Sequence, residues 1–226
     1  AAMIDHTLLK ADATRSDVEA TRRQLSEDQT LSVSVVASPQ AGWTIDDIAQ
    51  DFARCAAWAV DSGADCVELN FSCPNVTSCD GQLYQQPDQA GQVAAEVRMA
   101  VGPAPVLVKI GHVLDELLAE QLLLALAPHI DALVMVNCIA AQVTDGGTPL
   151  FGGEPRGIAG DAVRQATVDQ VTLFHQLRSR HRLTIDLVGV GGIATVQHVQ
   201  ACLAAGASMV QLATAAMLNP RVGPDL

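Results

Sequence analysis

The sequence predicts an α/β fold: a parallel sheet closed as a barrel of the (β/α)8 type, incomplete or irregular at its N-terminus. Three observations predict it. Apolar runs of strand length alternate with amphipathic stretches along nearly all of the 226 residues, and strict βα alternation means parallel strands with helices on the faces. Hydrophobic residues make up 49% and aromatics only 3%, a composition rich in Ala, Val and Leu that suits helices packed on parallel strands. Finally, no Gly-x-Gly-x-x-Gly word follows the first strand. The word GVGGI at 189–193 comes late and ends a strand, which favours a barrel over a dinucleotide-binding doubly wound sheet.

Strands are expected at 31–37, 66–71, 105–110, 132–137, 184–190 and 209–213. Helices are expected at 44–62, 89–101, 113–127, 161–178 and 196–205. Thr44 followed by Asp46 and Asp47 reads as an N-cap with acids in the first turn. Gly63 and Gly206 stop helices within the similar words SGADCVEL and AGASMVQL. Residues 3–9 (MIDHTLL) read as one more strand, followed by a helix at 16–27. That makes seven strands, where a full barrel has eight. The expected organisation is one domain over 1–226, with 1–30 an atypical N-terminal βα unit.

The net charge of -12 argues against phosphate backbones and anionic lipid surfaces as partners. No apolar run approaches the ~20 residues of a membrane span, and the first residues lack the basic-then-apolar pattern of a signal peptide. The six cysteines are scattered without a Cys-x-x-Cys pair, which reads as reduced thiols in a cytoplasmic protein. The six histidines show no ligand spacing, so no metal is expected.

In a barrel the chemistry sits at the carboxyl ends of the strands. The candidates cluster there. Residues 68–75 read ELNFSCPN. Asn70 shares strand parity with Glu68, so both should face the interior. Asn offers a donor and an acceptor to a planar heterocycle. Cys73 in a polar loop could serve as a proton-transfer base; taken alone, a Cys-Pro pair reads better as a free thiol in a Pro-containing turn. Lys109 is one of two lysines and ends the apolar run PVLVKI, where a charge is costly unless it meets an anion or a polar site. Asn137 ends ALVMVN. Two glycine segments, 151–163 and 187–199, each lead into a helix, where backbone N–H groups bind phosphate without net positive charge.

The octet closely resembles the active-site strand and loop of the dihydroorotate dehydrogenases. The resemblance runs over about 32–220 and is densest at five strand ends. It implies a TIM barrel that binds flavin mononucleotide (FMN) and oxidises dihydroorotate or a related dihydropyrimidine, with hydride passing to the flavin. It implies that Cys73 is the base, as in class I members of that family, and that Asn70, Asn75 and Asn137 contact substrate. Lys109 is implied to touch the flavin ring and stabilise negative charge on it. Val136, Gly157, Gly160, Gly191, Gly192, Ala213 and Thr214 are implied cofactor contacts. Ala213 stands where the family usually has Gly, and its methyl would crowd the phosphate. The expected partners are a dihydropyrimidine-like small molecule and a second copy in a homodimer.

The first two βα units of that family have no counterpart here. Residues 4–14 (IDHTLLKADAT) instead resemble the start of deoxyribose-phosphate aldolase. Two alternatives follow: a Schiff-base aldolase, for which Lys109 is the central candidate, and a truncated or recombined barrel without turnover.

Overall fold

The computed structural model describes residues 14–27, 29–72 and 79–223. The expected strand at 3–9 lies outside the described residues. In chain order the elements are α1 (Arg15–Arg22), β1 (Ser32–Val35), α2 (Ile45–Asp61), β2 (Cys66–Asn70), a 3-10 segment (Cys79–Gln85), α3 (Pro87–Val101), β3 (Val106–Lys109), α4 (Glu116–Leu126) and β4 (Ala132–Met135). An excursion follows: β5 (Ile139–Ala141), β6 (Thr144–Asp145), β7 (Thr148–Pro149) and β8 (Arg156–Ile158). The chain then continues through α5 (Arg164–Arg180), β9 (Asp186–Val190), α6 (Val196–Ala205), β10 (Met209–Gln211) and α7 (Thr214–Leu218).

Six strands form one sheet in the order β1-β2-β3-β4-β9-β10, and every pairing in it is parallel. The sheet is rolled. Gln211 on β10 donates to Glu68 Oε2 on β2 at 2.8 Å. In a flat sheet these strands, four places apart, would lie about 19 Å from each other. Only curling toward a barrel brings them into hydrogen-bond range.

Strand parity divides the core in two. One set of alternate residues, Cys66, Leu107, Ala132, Val134, Val188 and Val190, packs together with Met209 on the concave side. Their neighbours Val67, Leu69, Val108, Leu133 and Leu187 belong to a much larger layer beneath the helices. There Phe52 and Phe71 meet edge to face at 5.4 Å, which fixes the end of β2 against α2.

Local signals explain most helix bounds. Thr44 and Asp47 form a reciprocal capping box at the start of α2, and the bonds from Thr44 hold the Asp47 carboxyl below its usual range. Asp115 caps α4 by accepting the Leu117 N–H at 2.8 Å, so this helix starts at Glu116 rather than 113. The first residue of the expected helix is held elsewhere: Gln170 accepts the Val113 N–H at 2.7 Å and donates to the Gly111 carbonyl at 2.8 Å. Gly206 ends α6 at φ 112°, as expected of an αL stop. Gly63 has φ 98° at the corresponding place. α6 matches its expected bounds.

The sequence reading missed the excursion. β5 pairs with β8 and β6 with β7, both antiparallel, in short and largely exposed segments without an apolar pattern. It also missed α7, which cuts β10 short at Gln211. None of the described helices is long and apolar enough to cross a membrane.

The layer beneath the helices should dominate stability. Phe174 on α5 is wholly buried, so Phe174→Ala should cost about 3–5 kcal/mol in urea unfolding. Leu124→Ala, at a site 43% exposed, should cost well under half of that.

Candidate active site

The carboxyl ends of β2, β3 and β4 meet at the mouth of the rolled sheet. Lys109 stands opposite Asn70 in the β2–β3 register. The ladder continues past both, with Phe71 N–H donating to the Lys109 carbonyl at 2.9 Å. Asn137 Nδ2 donates to Asn70 Oδ1 at 3.4 Å and to the Ser72 carbonyl. Asn70 Oδ1 also accepts the Ser72 N–H at 3.2 Å. Asn137 is itself anchored by its own N–H, which donates to the Ile110 carbonyl at 3.0 Å. Two of the three expected substrate contacts are thus brought together. Asn75 and Cys73 lie outside the described residues.

Lys109 is not a lone cation. Its Nζ donates to Glu68 Oε1, and Glu68 is wholly buried. Ser34 Oγ donates to the same oxygen at 3.0 Å, while Gln211 takes the other oxygen. Four strands therefore contribute to one buried polar cluster. Parity had placed Glu68 inside the barrel; its role as the partner of Lys109 was missed, as were Ser34 and Gln211. The available signal was the presence of opposite charges in two neighbouring apolar strands.

Beside this cluster lies a cleft of about 150 Å³, lined among others by Asn137, Gly160, Gly191, Gly192, Gln211 and Thr214. That is below the ordinary volume of a small-molecule site. Gln211 belongs to both the cleft and the polar cluster, so the two are continuous. Ala213 also lines the cleft, with its methyl beside the first turn of α7. Val136 is buried and gives its N–H to the Val190 carbonyl at 2.6 Å. Gly157 stands apart: it is exposed and pairs with Ala140 across β5 and β8. It is not among the residues that line the cleft.

The glycines face two demands at once. Gly192 has φ +74°, and a Cβ there would stand 2.5 Å from Arg164 Cβ. A Cβ on Gly191 would stand 2.7 Å from Thr167 Oγ1 and 3.1 Å from the Val136 carbonyl oxygen. Close packing of the β9 end on α5 thus requires glycine there, whatever else the loop binds. Thr167 secures the same contact, its Oγ1 donating to the Val190 carbonyl at 2.9 Å. Across the cleft, Gly160 and Thr214 approach so closely that a Cβ on Gly160 would lie 3.3 Å from Thr214 Cγ2. A cradle bounded by glycine backbone and a threonine suits a phosphate, so the residues present fit the phosphate end of FMN. Asp161 lies on the rim. Arg164, hydrogen-bonded to it at 2.8 Å, holds its carboxyl below the usual range.

This architecture, a parallel sheet curled into part of a barrel with a polar cluster and a glycine cleft at its strand ends, places the molecule among TIM-barrel folds. The comparisons are more specific. A family model described as dihydroorotate dehydrogenase matches residues 11–225, and the chain belongs to that family. It is 28% identical over 214 residues to dihydroorotate dehydrogenase of Dictyostelium discoideum, covering 91% of this chain and 57% of the relative. It is 31% identical over 189 residues to the catalytic subunit of dihydroorotate dehydrogenase B (NAD(+)) of Listeria monocytogenes, covering 82% and 59%. A DHODH of Eimeria tenella, crystallised with ferulenol, superposes with a TM-score of 0.76 at 18% identity, over 95% of this chain and 61% of that one. The chain spans little more than half the length of the curated relatives it matches.

The aldolase-like stretch lies almost wholly outside the described residues. The pairing of Lys109 with a buried carboxylate also argues against a Schiff-base lysine, which must present a free amine.

Because Gly192 is fixed by packing and by φ, Gly192→Ala should destabilise the protein by about 1–3 kcal/mol even with no ligand present. Thermal unfolding of the ligand-free variant measures this.

Proposed function

We propose that the chain is the core of an FMN-dependent oxidoreductase that oxidises dihydroorotate or a related dihydropyrimidine at a CH–CH bond. The observation that carries this is the meeting of Asn70, Asn137 and Lys109 at adjoining strand ends beside the glycine cleft, in a member of the dihydroorotate dehydrogenase family. Asn70, Asn75 and Asn137 orient the pyrimidine by its carbonyl and N–H groups. Cys73 takes a proton from one ring carbon onto Sγ. FMN, when bound, supplies the acceptor for hydride from the adjacent carbon. Gly160, Gly191, Gly192 and Thr214 hold the phosphate end, Val136 and Ala213 line the path to it, and Lys109 faces the ring end.

The six cysteines, scattered without a Cys-x-x-Cys pair, favour reduced thiols in a cytoplasmic enzyme. Leu117 and Leu124, seven residues apart on α4, are exposed, as is Leu114 just before the helix; they offer a face for a homodimer.

The visible absorption spectrum tests the reading directly. FMN should bind near one per chain and bleach when dihydroorotate is added without an acceptor. A protein that stays colourless after incubation with FMN would sink the proposal and leave a barrel without turnover. In the loaded protein, Cys73→Ser should slow bleaching about 100-fold or more, as loss of a general base does, with the bound flavin retained.

A second expectation concerns the crowded phosphate end. Ala213→Gly removes a methyl from the cleft wall and should tighten FMN binding several-fold, read by fluorescence titration. Unchanged affinity would show that the methyl does not meet the phosphate.

A further inference from the structure

We infer that Glu68 is a positioning residue for Lys109: it holds the ammonium in place and offsets its charge, so that the cleft meets a neutral pair rather than a free cation. The inference deepens the flavin reading above, and its charge-offset half rests on that reading.

The grounds are geometric. Glu68 is wholly buried and Lys109 is 9% exposed. A carboxylate so placed needs partners on both oxygens, and it has them. Lys109 Nζ and Ser34 Oγ donate to Oε1, and Gln211 Nε2 donates to Oε2. These donors come from β3, β1 and β10, so the carboxylate is fixed from three directions and cannot swing away from the lysine. Lys109 in turn sits in register with Asn70, and Gln211 carries the cluster to the wall of the cleft. The long lysine stem is thereby held in one conformation that a bound group can use without ordering it again.

A bare lysine ammonium beside a reduced flavin would stabilise negative charge on it strongly. A lysine already matched by a buried carboxylate stabilises it less, because the two charges largely cancel at a distance. Glu68 thus sets how much electrostatic help Lys109 gives. A purely structural pair would fix the fold with no effect on a bound redox group.

Two readouts test this on the full chain. The sequence contains only Lys10 and Lys109, so amine labelling followed by peptide mass analysis reports on Lys109 cleanly. In FMN-free protein, Glu68→Gln should raise the labelling rate of Lys109 at least tenfold over wild type, because the buried ammonium loses its counter-charge. Ser34→Ala, which leaves the ion pair but frees one edge of the carboxylate, should raise it by a smaller factor and keeps the test available if Glu68→Gln does not fold. Wild-type labelling rates in the folded variants would overturn the positioning role. In FMN-loaded protein, the flavin midpoint potential should move to more positive values in Glu68→Gln. An unchanged potential would overturn the charge offset. If wild type binds no FMN, the proposed activity falls and the charge offset falls with it, while the labelling result still decides whether Glu68 positions Lys109.

Discussion

Glu68 has no exposure to solvent, and a carboxylate in such a place costs several kcal/mol unless charge and hydrogen bonds meet it. Its partners lie on β1, β3 and β10, and only a rolled sheet lets those strands reach one point. The cluster and the curl therefore depend on each other. Removing one member of a buried pair typically costs about 3–5 kcal/mol, more than any single apolar contact on the concave side can recover. That side is otherwise filled by small and medium residues such as Ala132, Val134 and Val188, with no aromatic ring to fill the space if the cluster were lost.

The second constraint comes from the opposite end of the sheet. β9 ends in a glycine turn against the first turn of α5, and the spacing leaves no room for a side chain on Gly191 or Gly192. α5 also carries Gln170, which pins the loop after β3, and Thr167, which pins the end of β9. One helix thus holds two of the loops that frame the mouth. Phe174 and Leu177 on its buried side, both without exposure, anchor it beneath the sheet. A cleft bounded in this way is held by the packing of the protein itself.

Most of the framework was legible because its signals are local. Apolar runs placed six strands, Thr44 announced a capping box, and Gly206 marked a helix end. Asn70, Lys109 and Asn137 could be singled out because a polar group at the end of an apolar strand is conspicuous. The partner of Lys109 was harder to see, since Glu68 and Lys109 are separated by 41 residues and only the parallel register joins them. Gln211, 143 residues from Glu68, left no local trace, because its pairing follows from the curl of the sheet. The excursion of β5 to β8 is short and exposed, so no burial pattern marked it. The place of Gly157 likewise follows from pairing with Ala140 rather than from the glycine-rich word around it.

The net charge of -12 sharpens what the cleft must do. An anionic group entering it meets Asp161 on the rim, with Arg164 already committed to that carboxylate. Lys109 is committed to Glu68 in the same way. With both cations matched, attraction for a phosphate has to come from backbone N–H dipoles at the glycine turns and at the start of α7, together with the hydroxyl of Thr214. Such dipoles act only at short range, so the fit of the phosphate against the wall matters more than the field of the protein as a whole. Ala213 lines the cleft between the end of β10 and the first residue of α7. A methyl here can act on a group in the cleft only by contact, the same short range over which the dipoles act.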